Sequence, residues 1–264
     1  MKQQPLKAKK GLGQHFLKDE QIAADIVNSL SQFDKYKQVL EIGPGMGVLT
    51  QFLVKNTNYQ TTIIDIDWDS INYLETRFPE LKNHIIAGDF LQLQFENHFT
   101  EPFAVIGNFP YNISSQILFK VLENRNQIPE VVGMFQKEVA ERIASKPGKK
   151  AYGILSVFLQ AYYDVEYLFT VQEHVFDPPP KVKSGVLRCI RNTRQHLDCN
   201  EELFFKVVKT GFNQRRKTLR NALKPLLEGS IIEHDFLSKR AEELSVENFV
   251  ELTNLVEKKC ELKR

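Results

Sequence analysis

The stretch "QVLEIGPGMGVLTQFLVKN", Gln38 to Asn56, decides the fold. Val39, Leu40 and Ile42 make an apolar run suited to a buried strand, and "VLTQFLVKN" spaces its apolar residues three or four apart, as a helix lying on a sheet does. Between them stand Gly43, Gly45 and Gly47. A strand, a glycine turn and a helix in that order bring bare backbone to a helix start, where a ligand can approach closely. The turn is not a dinucleotide fingerprint, because Val48 stands where the last glycine of G-x-G-x-x-G belongs, and no G-x-x-x-x-G-K-[ST] occurs. Glu41, two residues before Gly43, would repel a pyrophosphate and suits a cationic amino-acid group or a sulfonium.

The same rhythm continues outward. "QTTIIDID", "NHIIAGD", "FAVIGN" and "EVVGMFQ" read as further buried strands, with helices at "WDSINYLETRF" and "SSQILFKVLENR". Alternation with short connections predicts a parallel, doubly wound α/β sheet. After the fifth strand "GILSVFLQAYY" suits a helix, and "DVEYLFTVQEHVF" with "SGVLRCIR" suggests an antiparallel pair at one edge. From about Asn192 the strands stop, and "EELFFKVVKTGFNQ", "RKTLRNALKPLL" and "VENFVELTNLVEKK" read as helices. The expected division is therefore 1–192, an α/β domain with a basic N-terminal segment 1–18, and 193–264, a small helical domain.

Composition bounds the function. A chain of 264 residues with 42% hydrophobic content can bury a sizeable core. No apolar run approaches the length of a membrane span, and the basic start lacks the apolar stretch of an export signal, so a soluble cytoplasmic protein is expected. Cys189, Cys199 and Cys260 have no C-x-x-C spacing, which supports reduced thiols and no metal site. The net charge of +2 hides an asymmetry: five Lys and no acid from Met1 to Lys18, seven Lys or Arg and no acid from Leu203 to Leu227, and eight acids against two bases from Asn56 to Ala104. Basic flanks around an acidic middle suggest a polyanion held at the ends, with solvated helix faces as the plainer alternative.

The strand ends carry the chemistry. The second ends in "IIDID", placing Asp65 or Asp67 where a carboxylate can accept both hydroxyls of a ribose. The third ends in "AGDF", where Asp89 can accept from an adenine amine and Phe90 can flank the ring. The fourth runs into "NFPYNIS". Asn108 and the Pro110 carbonyl there can take the two hydrogens of an exocyclic adenine amine, freeing a lone pair otherwise delocalised into the ring. Tyr111 can stack on a flipped base, with Phe109 nearby.

These residues, with "GQHFL", "QKEVAERI", "KAYGILSV", "FDPPPKV" and "FNQRRKTLRNAL", resemble the AdoMet-dependent ribosomal RNA adenine N6-dimethyltransferases over nearly the whole chain. The resemblance implies a class I methyltransferase fold: a Rossmann-like, mostly parallel seven-stranded sheet with an antiparallel edge pair, plus a small C-terminal helical RNA-binding domain. It implies S-adenosylmethionine as methyl donor and no metal. The expected reaction is dimethylation of two adjacent adenosines in the 3′-terminal hairpin of 16S rRNA, by a monomer acting on a 30S assembly intermediate, with a role in subunit biogenesis. Cofactor contacts are implied for His15, Leu17, Glu41, Gly43, Gly45, Asp65, Asp89, Phe90 and Asn108, and the acceptor site for Asn108, Pro110 and Tyr111. RNA contacts are implied for Lys181 and Lys183 beside the triple proline Pro178–Pro180, and for Arg215, Arg216, Lys217 and Arg220. Three positions depart from the family pattern: Asp65 for a usual Glu, Phe109 for a commoner Leu, and Lys183 for a usual Asp. An rRNA dimethylase acting on one large-subunit adenosine is the runner-up, and a non-catalytic RNA-binding relative or an NAD-dependent oxidoreductase fits the motifs less well.

Overall fold

A computed structural model describes residues 6–227 and 232–261. Lys2 of the basic N-terminal segment and the Cys260 side chain lie outside the described residues. In chain order the strands and α-helices are β1 (Phe16–Leu17), α1 (Glu20–Asn28), β2 (Gln38–Ile42), α2 (Thr50–Leu53), β3 (Gln60–Asp65), α3 (Trp68–Arg77), β4 (Ile85–Ala87), β5 (Phe103–Asn108), α4 (Ser114–Glu123), β6 (Glu130–Gln136), α5 (Lys137–Ile143), α6 (Ile154–Gln160), β7 (Tyr163–Val171), β8 (Phe176–Asp177), β9 (Ser184–Arg191), α7 (Glu201–Asn213), α8 (Leu219–Ala222), α9 (Lys224–Leu227) and α10 (Val246–Glu261).

The main sheet has seven strands in the order β4-β3-β2-β5-β6-β9-β7. The ladders from β4 through β6 are parallel, and β9 pairs antiparallel with β6, Gln136 facing Ser184. The expected edge pair is present, with β9 inside and β7 outermost. Strand order reverses at β2, which lies between β3 and β5, so a crevice opens beyond the carboxyl ends of these three strands.

Local chemistry sets the elements. Asp19 caps α1 by accepting the Ile22 N–H at 3.0 Å, and Ala23, Ile26 and Val27 of that helix are buried in a cluster with Val39, Leu53, Ile106 and Met134. On α3, Leu74 packs with Ile63, Phe78 and Leu81. Phe99 stacks on Phe103 with centroids 4.0 Å apart, and Phe95 meets Phe103 edge-on at 5.1 Å. Two expectations shorten. The long strand expected from Asp164 to Phe176 ends at Val171, and Phe176–Asp177 instead forms β8, paired antiparallel with β1. The helix expected over "RKTLRNALKPLL" begins only at Leu219 and breaks at Leu223 into α8 and α9. Pro225, having no N–H, cannot continue the ladder.

The contact pattern separates two compact units, one running to Ala140 and from Val165 to Arg191, the other comprising Glu141–Asp164 and Asn192–Arg264. The sequence reading places 141–164 with the first domain. Its helix α6 instead packs Phe158 against Phe204 at 6.2 Å and Phe205 at 4.5 Å, both on α7. Apolar periodicity shows that a face is buried but does not name its partner.

One buried carboxylate fastens the first unit. Glu130, fully buried at the start of β6, accepts from the Ser31 N–H and hydroxyl (3.0 and 2.8 Å), the Gln32 N–H (3.0 Å) and the Tyr36 hydroxyl (2.7 Å). Glu130→Ala would leave those donors unpaired in the interior. It is expected to cost about 3 kcal/mol, read as a lower urea midpoint, with no new cavity-lining group altered.

Candidate functional site

A cavity of about 200 Å³ lies in the crevice at the reversal of strand order, lined by the ends of β2, β3 and β5, the residues after β4, and the N-terminal segment from Leu12 to Leu17. Gly43 and Gly45 floor it with φ of 64° and 56°. A β-carbon on Gly45 would stand 2.9 Å from the Phe16 ring, so only glycine lets β1 close over the turn. Glu41 also lines the cavity although its residue is almost wholly buried. Burial pushes its carboxyl up to about 8; a 2.6 Å bond from the Thr50 hydroxyl opposes this and nearby Asp65 adds to it.

Of Asp65 and Asp67, only Asp65 lines the cavity. Asp65 accepts from the Asp67 N–H at 2.9 Å and the Gly45 N–H at 3.4 Å, and burial raises its carboxyl above the ordinary range. Asp67 belongs to the scaffold. It caps α3 and takes the Lys9 ammonium at 2.5 Å and the Gln14 amide at 3.0 Å. Burial alone would raise the Asp67 carboxyl, yet these bonds hold it below the usual range. Asp89 lines the cavity and is oriented by the Leu91 N–H at 2.8 Å. Phe90 does not reach the cavity; its ring turns inward, 5.7 Å from Phe95, and Leu91 takes its place on the wall. The sequence reading misses Lys120 of α4, whose ammonium donates to the carbonyls of Leu91 and Leu93 (2.9 and 2.6 Å) and so holds this segment from behind.

On the far wall the acceptor loop meets the N-terminal segment. The Asn108 amide donates through Nδ2 to the His15 carbonyl at 2.9 Å, which fixes the amide and leaves Oδ1 as its accepting end. The Pro110 carbonyl accepts the Ile113 N–H at 3.2 Å and retains a second lone pair. The Tyr111 hydroxyl lies 2.6 Å from that of fully buried Ser184, the first residue of β9, so a rigid strand orients the ring. His15 sits 5.7 Å from the Tyr111 ring, and its Nδ1 is 2.7 Å from the Pro178 carbonyl, joining "GQHFL" to the triple proline. Leu17 is buried and lines the cavity. Phe109 is not a ring offered to a base. It is buried over Gly107 and Gly133, edge-on to Phe135 at 5.1 Å, and the room at these glycines accommodates Phe where Leu is commoner.

Of the basic candidates, Lys181 and Lys183 are exposed, and the Lys183 carbonyl accepts the Lys137 N–H at 2.9 Å. In the second unit Arg216, Lys217 and Arg220 are exposed. Arg215 is exposed as well, but its guanidinium is engaged: it donates to the carbonyls of Lys150 and Tyr152 and pairs with Glu242 at 3.1 Å. In this conformation its guanidinium bonds to oxygens of three residues of the same unit.

Glu41 has a thermodynamic signature. A carboxyl raised on folding stabilises the folded state below the usual glutamate range, and that contribution is lost as pH rises toward about 8. Glu41→Gln keeps the acceptor for Thr50 without the ionisation. Its melting temperature is expected to exceed the wild type's by a margin that grows from pH 5 to 8 and then levels, in a thermal melt without added ligand.

Known proteins resemble this chain over nearly its whole length. The family described as ribosomal RNA adenine dimethylase matches residues 6–258. The "Ribosomal RNA small subunit methyltransferase A" of Cytophaga hutchinsonii is 63% identical over 252 residues, covering 95% of this chain and 98% of the relative. That of Parabacteroides distasonis is 59% identical, covering 97% and 96%. Among solved structures, a dimethyladenosine transferase from Plasmodium falciparum superposes with a TM-score of 0.77 at 26% identity, covering 93% of this chain and 98% of that one. With the match extending from the N-terminal segment through the helical unit, the chain belongs to the ribosomal RNA adenine dimethylase family.

Proposed function

We propose that this protein dimethylates the N6 amines of two adjacent adenosines in the 3′-terminal hairpin of 16S rRNA. It would act in the cytoplasm as a monomer on a 30S assembly intermediate, and so take part in subunit biogenesis. The observation that carries the reading is the fixed Asn108 amide: its Oδ1 and the Pro110 carbonyl give two acceptors beside a glycine-floored cavity. The named small-subunit relatives favour this substrate over a large-subunit adenosine.

The residues present fit S-adenosylmethionine. A side chain at Gly45 would crowd the Phe16 ring, and one at Gly43 would fill the space that now reaches Pro110 at 3.8 Å, while Glu41 and Asp65 would supply carboxylates for a ligand bearing cationic groups and ribose hydroxyls. When bound, S-adenosylmethionine supplies a methyl group activated on a positively charged sulfur. Asp65 would hold the ribose, its carboxylate oriented by bonds from the Gly45 and Asp67 N–H groups. Asp89 would accept from the adenine amine, and His15 and Leu17, which line the cavity, would help close it against water. Glu41 holds a proton at neutral pH and releases it from its carboxyl to face a cation.

On the acceptor side, Tyr111 stacks on the extruded adenine. Asn108 Oδ1 and the Pro110 carbonyl draw the two N6 hydrogens, favouring a pyramidal nitrogen with an exposed lone pair. Orientation of this kind supplies much of the acceleration when the electrophile is already activated. Lys181, Lys183, Arg216, Lys217 and Arg220 are the phosphate contacts of the reading, and no described helix is long and apolar enough to cross a membrane.

Asn108→Ala is expected to lower turnover on undermethylated small subunits about 10²–10³-fold, the scale for losing one positioned hydrogen-bonding group at a reacting centre. S-adenosylmethionine affinity by calorimetry should stay within a few-fold of wild type. Wild-type turnover by the variant would remove the acceptor loop from the mechanism.

A further inference from the structure

The turn between α5 and α6, Lys146 to Ala151, enters no step above, yet the second unit builds it with care. Lys146, Lys149 and Lys150 are all exposed. The turn is held at three points: the Gly148 N–H donates to the Glu242 carbonyl at 2.7 Å, and the carbonyls of Lys150 and of Tyr152 just beyond the turn accept from the Arg215 guanidinium. Arg215 is in turn held by the Glu242 carboxylate at 3.1 Å. Glu242 thus joins both partners, through its backbone to the turn and through its side chain to the arginine.

A guanidinium that donates to two backbone carbonyls and a carboxylate is pre-organised for positioning. What it positions is cationic. Arg216 and Lys217 directly follow Arg215 on an exposed turn closed by the Lys217 N–H on the Gln214 carbonyl at 2.8 Å. The clip therefore sets three lysines beside two further cations, from segments some 65 residues apart in sequence. The acid at this junction, Glu242, already faces Arg215 and does little to neutralise the exposed lysines.

We propose that Lys146, Lys149 and Lys150 form a second strand of the RNA-binding surface, and that Arg215 serves it by docking the turn beside Arg216 and Lys217 rather than by touching phosphate. The inference rests on the rRNA reading given above. Closely spaced cations held on a fixed backbone suit consecutive phosphates of a polynucleotide, whose bound counterions they displace.

The test is a salt series for binding of the full-length protein to undermethylated small subunits. Replacing Lys146, Lys149 and Lys150 together by Ala should make the slope of log affinity against log salt shallower by about three units, at roughly one per lost phosphate contact. S-adenosylmethionine affinity should not change. Arg215→Met placed on the triple-alanine background should leave the slope where it is, because the turn it docks no longer carries charge. An unchanged slope in the triple variant would overturn the surface, and a further loss of about one unit on adding Arg215→Met would make Arg215 itself a phosphate ligand and overturn the clip. Salt-independent binding by the wild type would instead overturn the rRNA reading beneath it.

Discussion

The bond from the Asn108 amide to the His15 carbonyl is the interaction on which the site depends. An asparagine amide in a loop can present either its oxygen or its nitrogen to a ligand, and only the oxygen can accept from an amine. The choice is made by a backbone carbonyl 93 residues earlier, which must itself be held. Holding it are the pairing of β1 with β8, the seat of Phe16 on Gly45, the ion pairs of Lys9 with Asp67 and Asp69, and the contact of His15 with Pro178. The N-terminal segment is thus at once a wall of the cavity and the part that orients the acceptor.

The buried acids divide by how well they are satisfied. Glu130 collects donors from a backbone loop, a serine and a tyrosine, and nothing remains for a ligand. Glu41, equally buried, has the Thr50 hydroxyl, and its carboxyl is pushed up to about 8. A carboxyl whose desolvation the fold does not offset takes up a proton instead, and a cationic partner beside it would favour the charged form again. Only the second of these acids lines the cavity.

Much of this was legible in the sequence for a physical reason: strands, turns and caps are local, and a glycine turn after an apolar run has few other uses. The ends of β2, β3 and β5 therefore fell where the residue pattern put them. What stayed hidden depended on distant partners. Asp65 and Asp67 differ only in that Lys9 and Gln14 reach one of them. Phe90 and Leu91 exchanged roles because a 3-10 turn after Asp89 rotates the chain, with Lys120 fastening it from another helix. Arg215 and Arg216 carry the same charge, and it is the carbonyls of Lys150 and Tyr152 with the Glu242 carboxylate that engage the first. The grouping of 141–164 with the helical unit was equally invisible to periodicity, whereas Pro225, just after the break at Leu223, was a local signal that the expected single helix overlooked.

The central claim is that this geometry delivers methyl groups to adenine N6 in small-subunit rRNA. The most direct measurement is mass spectrometry of nuclease fragments from undermethylated small subunits after incubation with the protein and S-adenosylmethionine. The account predicts two neighbouring adenosines near the 3′ end, each gaining two methyl groups. No gain despite measurable cofactor binding, or a gain only when large-subunit rRNA is supplied, would contradict it.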